Sequence, residues 1–148
     1  KNWPIKKKDL DFYNNEDMEV KIIAGKFKNI EGPEKKHNVE PIYFHIILNK
    51  GKEFKCSVPP GHNSFIYLLV GDLKIGSDEK SKTSDSNLIL LEKGNTLVVK
   101  ANKKSEFLFI AGKPIGEKIA RGGPFVMNTK EEINQAIEDY QNGTFAKY

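Results

Sequence analysis

The sequence predicts an all-β fold, an antiparallel β-sandwich or barrel that finishes in one C-terminal α-helix. Three observations lead there. Short runs rich in β-branched and aromatic residues recur between turn signals, as half-buried strands do. No helical pattern separates them, which favours antiparallel pairing over crossover units. Only the last stretch, GPFVMNTKEEINQAIEDYQNGTF (123–145), changes to helical periodicity.

In chain order, the expected strands are MEVKIIAG (18–25), IYFHIIL (42–48), EFKCSV (53–58) and SFIYLLV (64–70), then LKIG (73–76), NLILLEK (87–93), TLVVKA (96–101) and EFLFIAG (106–112). The intervening NKG, PPGHN, VGD, EKGN and NKK carry the glycine, asparagine or proline that tight turns need. GSDEKSKTSDSN (76–87) is polar and reads as a loop. Residues 123–129 form an apolar strap that runs extended over the β body, and the helix occupies 130–142. Thr129 and Glu132 make its capping box, with Glu131 also favourable at the positive end of the helix. Ile133, Ala136, Ile137 and Tyr140 form one apolar stripe, and Gly143 ends the helix in a left-handed conformation.

The chain of 148 residues is read as a single domain, 1–148, with 38% apolar and 30% charged residues. No apolar run is long enough for a membrane span, and no signal-peptide pattern opens the chain. A start at Lys1 rather than methionine suggests a fragment of something longer. Cys56 is the single cysteine, so the chain reads as reduced and intracellular, cytoplasmic or nuclear. The net charge of +4 comes almost wholly from lysine, and Arg121 is the only arginine. That composition disfavours sequence-specific nucleic-acid recognition, which recruits arginine forks. Lys6-Lys7-Lys8, Lys35-Lys36 and Lys103-Lys104 read as solvated turns, with a weak phosphate-binding surface as the other reading.

GPFVMNTKEEINQAIEDYQNG resembles the C-terminal signature of the pirin family, and AGKPIGEKIA (111–120) the segment that leads into it. VPPGHNSFIYLLVGDLKIG (58–76) and VKIIAG (20–25), after an aromatic-led opening at Asn2-Trp3-Pro4-Ile5, resemble further stretches of the second pirin domain. Arg121-Gly122 departs from the pattern, which leads one to expect a bulkier residue there. The resemblance implies a cupin, a double-stranded β-helix of two antiparallel sheets. It also implies a protein of two cupins, in which the N-terminal one holds iron(II) through three histidines and a glutamate. For whole family members it implies quercetin-type dioxygenase activity in some and transcriptional co-regulation in others.

Two cupin motifs, G-x5-H-x-H-x3,4-E-x6-G and G-x5-P-x-G-x2-H-x3-N, test whether this half holds metal. From Gly51 to Gly71 the first frame sets Ser57 and Pro59 at the histidine positions and Ser64 at the glutamate position. From Gly94 the second sets Ser105 at its histidine position. The glycine spacing persists because turns need it. The ligands do not: serine hydroxyls and a proline ring do not replace imidazole and carboxylate. No metal, cofactor or catalytic residue is therefore expected in this segment.

His37 reads as a loop residue, His45 as a sheet residue and His62 as a hydrogen-bonded turn residue, with His62 the weak alternative ligand. Cys56 reads as an unactivated strand cysteine. Gly112 and Gly116 lack phosphate-loop spacing, and no nucleophile elbow occurs. Phe65, Tyr67, Phe107 and Phe109 read as mostly core, with some lining a cavity for a small apolar ligand.

Three functions follow as expectations. The first is a non-catalytic cupin half that supports an iron-bearing N-terminal cupin and offers surface to protein partners such as transcription regulators. A fragment of that kind would self-associate through its uncovered side. The second is dioxygenase chemistry in this segment itself, through an improvised site of His62 with Glu53 or Glu106. The third is a metal-free cupin that binds a small ligand.

Overall fold

The computed structural model describes residues 10–34, 38–76, 82–84 and 87–146. His37 and the lysine runs at 6–8 and 35–36 lie outside them. Among the described residues, fourteen strands and one helix follow in order. They are β1 (Asp11–Asn14), β2 (Met18–Ala24), β3 (Lys26–Phe27), β4 (Ile30–Glu31), β5 (Ile42–Leu48), β6 (Glu53–Ser57) and β7 (Asn63–Val70). After these come β8 (Asp72–Ile75), β9 (Lys82–Ser84), β10 (Leu88–Leu90), β11 (Thr96–Ala101), β12 (Ser105–Gly112), β13 (Ala120–Gly122), β14 (Phe125–Met127) and α1 (Lys130–Gln141).

The all-β expectation holds. A six-stranded sheet in the order β1-β2-β5-β12-β7-β10 and a four-stranded sheet in the order β6-β11-β8-β9 form the sandwich, with every ladder in them antiparallel. Side chains alternate across each strand. Phe44, Ile46 and Leu48 of β5, Ile66 and Leu68 of β7 and Phe107 and Phe109 of β12 turn inward from one sheet. Phe54, Leu73, Leu97 and Val99 meet them from the other. Most of these side chains are fully buried, and each removes apolar surface worth about 1.5–3 kcal/mol from water.

The stretch read as a loop at 76–87 contains β9, which pairs with β8 in register Asp72↔Ser84 to Lys74↔Lys82. An edge strand needs no apolar alternation of its own, so its polar sequence hid it. The short β1, β3, β4 and β13 also lie outside the expected set, because two to four residues carry too little period to read.

The chain divides into two compact units, one ending at Pro114 and the other starting at Ile115. In the second, the predicted strap is extended, and its ladder partner is β13, through Ala120↔Met127 and Gly122↔Phe125. The capping box forms as expected: Thr129 Oγ1 accepts from the Glu132 amide at 3.1 Å, and Glu132 Oε2 accepts from the Thr129 amide at 2.9 Å. Gly143 takes φ +70°, the left-handed conformation expected of it. Only half of the predicted stripe is buried, Ile133 and Ala136, while Tyr140 is 69% exposed and stacks edge-on against Phe125. The unexpected Gly122 now has a reason, since a Cβ there would stand 2.5 Å from Ile133 Cγ2. No helix among the described residues is long and apolar enough to cross a membrane.

A tight junction joins β7 to β8. Gly71 has φ +117°, and a Cβ on it would meet Ser105 Oγ at 2.2 Å and Ser105 Cα at 2.7 Å. Ser105 Oγ accepts from the Asp72 amide at 3.1 Å and donates to the Lys103 carbonyl at 2.8 Å. Gly71→Ala is expected to destabilise the fold by about 2 kcal/mol or more in chemical denaturation, from left-handed strain and collision together. A change under about 0.5 kcal/mol would show that the junction relaxes freely.

Cys56 is buried in β6, and desolvation lifts its thiol from 9.0 to about 12. A raised folded-state value stabilises the protonated native form below pH 9.0, and that contribution is lost as pH climbs from 9.0 toward about 12. Maleimide labelling at neutral pH is therefore expected to be slow in the native protein and fast in denaturant. Equal rates would contradict the burial.

Candidate functional site

The interior of the sandwich is where a ligand to a shared ion has to point. The four motif positions do not meet there. Ser57 ends β6 on its outward, exposed side, opposite Thr96, while the inward side chains of that stretch are Phe54, Cys56 and Val58. Pro59 shares the outward parity of Ser57, and its carbonyl accepts from the His62 amide at 3.3 Å. Ser64 is half-buried at the start of β7, and Ser105 is buried with its hydroxyl committed to the Gly71–Asp72 junction. Strand parity thus turns Ser57 away from the interior, which one-dimensional spacing does not reveal. Moving the frame inward substitutes Cys56 and Val58 and still introduces neither imidazole nor carboxylate.

His62 is the other buried polar residue besides Ser105 among those described. Its Nε2 lies 3.1 Å from the Glu40 carbonyl, while Nδ1 has no hydrogen-bond partner. The bond closes the PPGHN turn onto Glu40, which takes φ +45° just before Pro41, an uncommon conformation for that position. This is the turn role expected of His62.

The improvised pairing does not assemble. Glu53 lies exposed on the outward side of β6. Glu106 is engaged elsewhere: its Oε1 lies 2.7 Å from Nε2 of His45 on the outer face of the six-stranded sheet. His45 stands opposite Leu108 and Glu106 opposite Ile47, so the two meet on a diagonal between β5 and β12. Only the register reveals this pair, because its members are sixty-one positions apart. No group of three or more His, Cys, Asp or Glu among the described residues is arranged to hold a metal ion. Among the described residues the motif positions offer serine hydroxyls and a proline ring, and the inward neighbours Cys56 and Val58 add one buried thiol, a set poorly suited to a first-row divalent ion.

The aromatic expectation divides by strand. Phe107 and Phe109 are core, whereas Phe65 and Tyr67 have outward parity in β7, where Ile66 and Leu68 take the inward positions. A cleft of about 430 Å³ opens at one end between the sheets, lined by Val58, Ser64, Ile75, Ile89, Leu91 and Leu97. A second, of about 770 Å³, lies where Gly25, Glu40, Pro41, Val58 and Pro59 come together. The first has an apolar base and few charges, a lining suited to a small apolar molecule.

Residues 43–146 match the family profile described as the Pirin C-terminal cupin domain. Human pirin is 34% identical over 142 residues, covering 93% of this chain and 48% of pirin. A pirin-like protein of tomato is 35% identical, covering 91% of this chain and 47% of the relative. A crystal structure of quercetin 2,3-dioxygenase from Acinetobacter baumannii superposes with a TM-score of 0.80 at 28% identity, covering 96% of this chain and 49% of that one. The chain thus spans about half the length of the curated relatives it matches. The sandwich is a cupin, and the chain belongs to the pirin family, in which it corresponds to the C-terminal cupin domain.

Proposed function

We propose that this domain is the non-catalytic half of a two-cupin protein, and that it supports and shapes an N-terminal cupin holding iron. The observation that carries this reading is the filling of its interior. Phe44, Phe54, Phe107 and Phe109 occupy the space between the sheets, and the motif positions Ser57, Pro59, Ser64 and Ser105 neither converge nor offer adequate donors. Dioxygenase chemistry and contacts with transcription regulators then belong to the whole protein, with this domain lending stability and surface. The half-length match to pirin and to a quercetin 2,3-dioxygenase supports that division. Elemental analysis of the purified chain is expected to find far less than one iron, nickel or zinc per chain after dialysis against a mild chelator. One tightly retained ion per chain would refute the reading.

A second reading, a small-ligand-binding cupin, is favoured by the apolar cleft at Val58, Ile75, Ile89, Leu91 and Leu97. Binding there stabilises the fold by mass action. Under this reading a flavonol such as quercetin raises the melting temperature, and Leu97→Asp removes the shift. An unchanged melting temperature across a flavonoid panel leaves the scaffold reading alone.

A further inference from the structure

The outer face of the four-stranded sheet carries a row of like charges. Register sets Lys100 of β11 opposite Lys74 of β8. On the far side Lys100 faces Glu53 of β6, and Lys55 stands on β6 opposite Val98. Neighbouring strands lie about 4.8 Å apart, so successive members of the row repel at close range. Like charges directly opposite each other destabilise a sheet.

Lysine on an edge strand commonly blocks edge-to-edge aggregation. That accounts for Lys55 on the edge strand β6 but not for Lys74 and Lys100, because β8 and β11 are the two inner strands of their sheet. Nor do counterions from the protein explain it: no ion pair forms at Lys55, Lys74 or Lys100 among the described residues. The acids on the same face are Glu53, beside Lys100, and Asp72, whose Oδ1 accepts from the Asn102 side chain at 2.9 Å. Lys55 and Lys100 are exposed and Lys74 is half-exposed.

We propose that this face is a docking surface for the phosphodiester backbone of duplex nucleic acid, held without regard to sequence. The charge pattern selects the occupant. A flat array of point charges suits a densely and regularly charged polyanion, and duplex DNA carries one negative charge per roughly 1.7 Å of axis. Among the described side chains the face has no arginine, and its one amide, Asn102, is committed to Asp72, so sequence discrimination is not expected. Its apolar outward residue is the half-buried Val98, which leaves nothing to insert into a bilayer.

The test is fluorescence anisotropy of a labelled random-sequence DNA duplex titrated with the whole chain at several salt concentrations. Binding at low salt is expected, with a log–log salt slope of about −2.5 to −3 from Lys55, Lys74 and Lys100, and no change when the duplex sequence is scrambled. Lys74→Glu is expected to weaken binding at least about tenfold while holding or raising the melting temperature, because it relieves repulsion in the row. Lys21→Glu, on the outer face of the six-stranded sheet, is expected to leave binding unchanged. The proposal is overturned by no binding at low salt, by a slope near zero, or by Lys74→Glu binding as the parent does. Capture by anionic phosphatidylserine vesicles but not by the duplex would also overturn it, by assigning the face to membranes.

Discussion

Five phenyl rings meet at the centre of the sandwich. Phe27 stacks on Phe54 at 5.3 Å and meets Phe44 edge-on at 5.7 Å, while Phe54 reaches Phe107 at 6.0 Å and Phe44 reaches Phe109 at 6.2 Å. Edge-on and offset contacts of this kind add to the area that each ring buries. They also tie the two sheets together, because Phe44, Phe107 and Phe109 come from one and Phe54 from the other. Register on both sides follows, since a slip of one residue would turn these rings to water.

The motif glycines persist while the motif ligands do not, and the structure shows why the two are separable. Gly71 is fixed by the left-handed backbone and by the close approach of Ser105, which are requirements of the turn. Ser105 stands at a position assigned to a metal ligand and instead bonds the backbone at Asp72 and Lys103. The geometric needs of the turn and the identity of the side chain at Ser105 are thus separate demands on the same junction.

Much of the fold was legible in the residues. The capping box, the glycine after the helix and the main strands of both sheets could be located because each rests on local chemistry or local period. What escaped depended on partners far along the chain. The His45–Glu106 pair, the outward parity of Ser57 and the charge row through Lys100 and Lys74 exist only once strands are set in register. The strap is a related case: its extended form was readable, but its pairing with Ala120–Gly122 was not, because three residues with one arginine and one glycine look like a loop.

The hairpin of β13 and β14 with α1 has a consequence for how the chain can vary. Its helix buries Ile133 against Gly122 of its own hairpin, and Phe125 gathers Tyr140 and Phe145 around it. The signature sequence thereby satisfies its own needs within a few dozen neighbouring positions. Substitutions at Gly122, Phe125, Ile133 or Tyr140 are therefore felt first by one another, which ties the residues of the signature into a single packing problem.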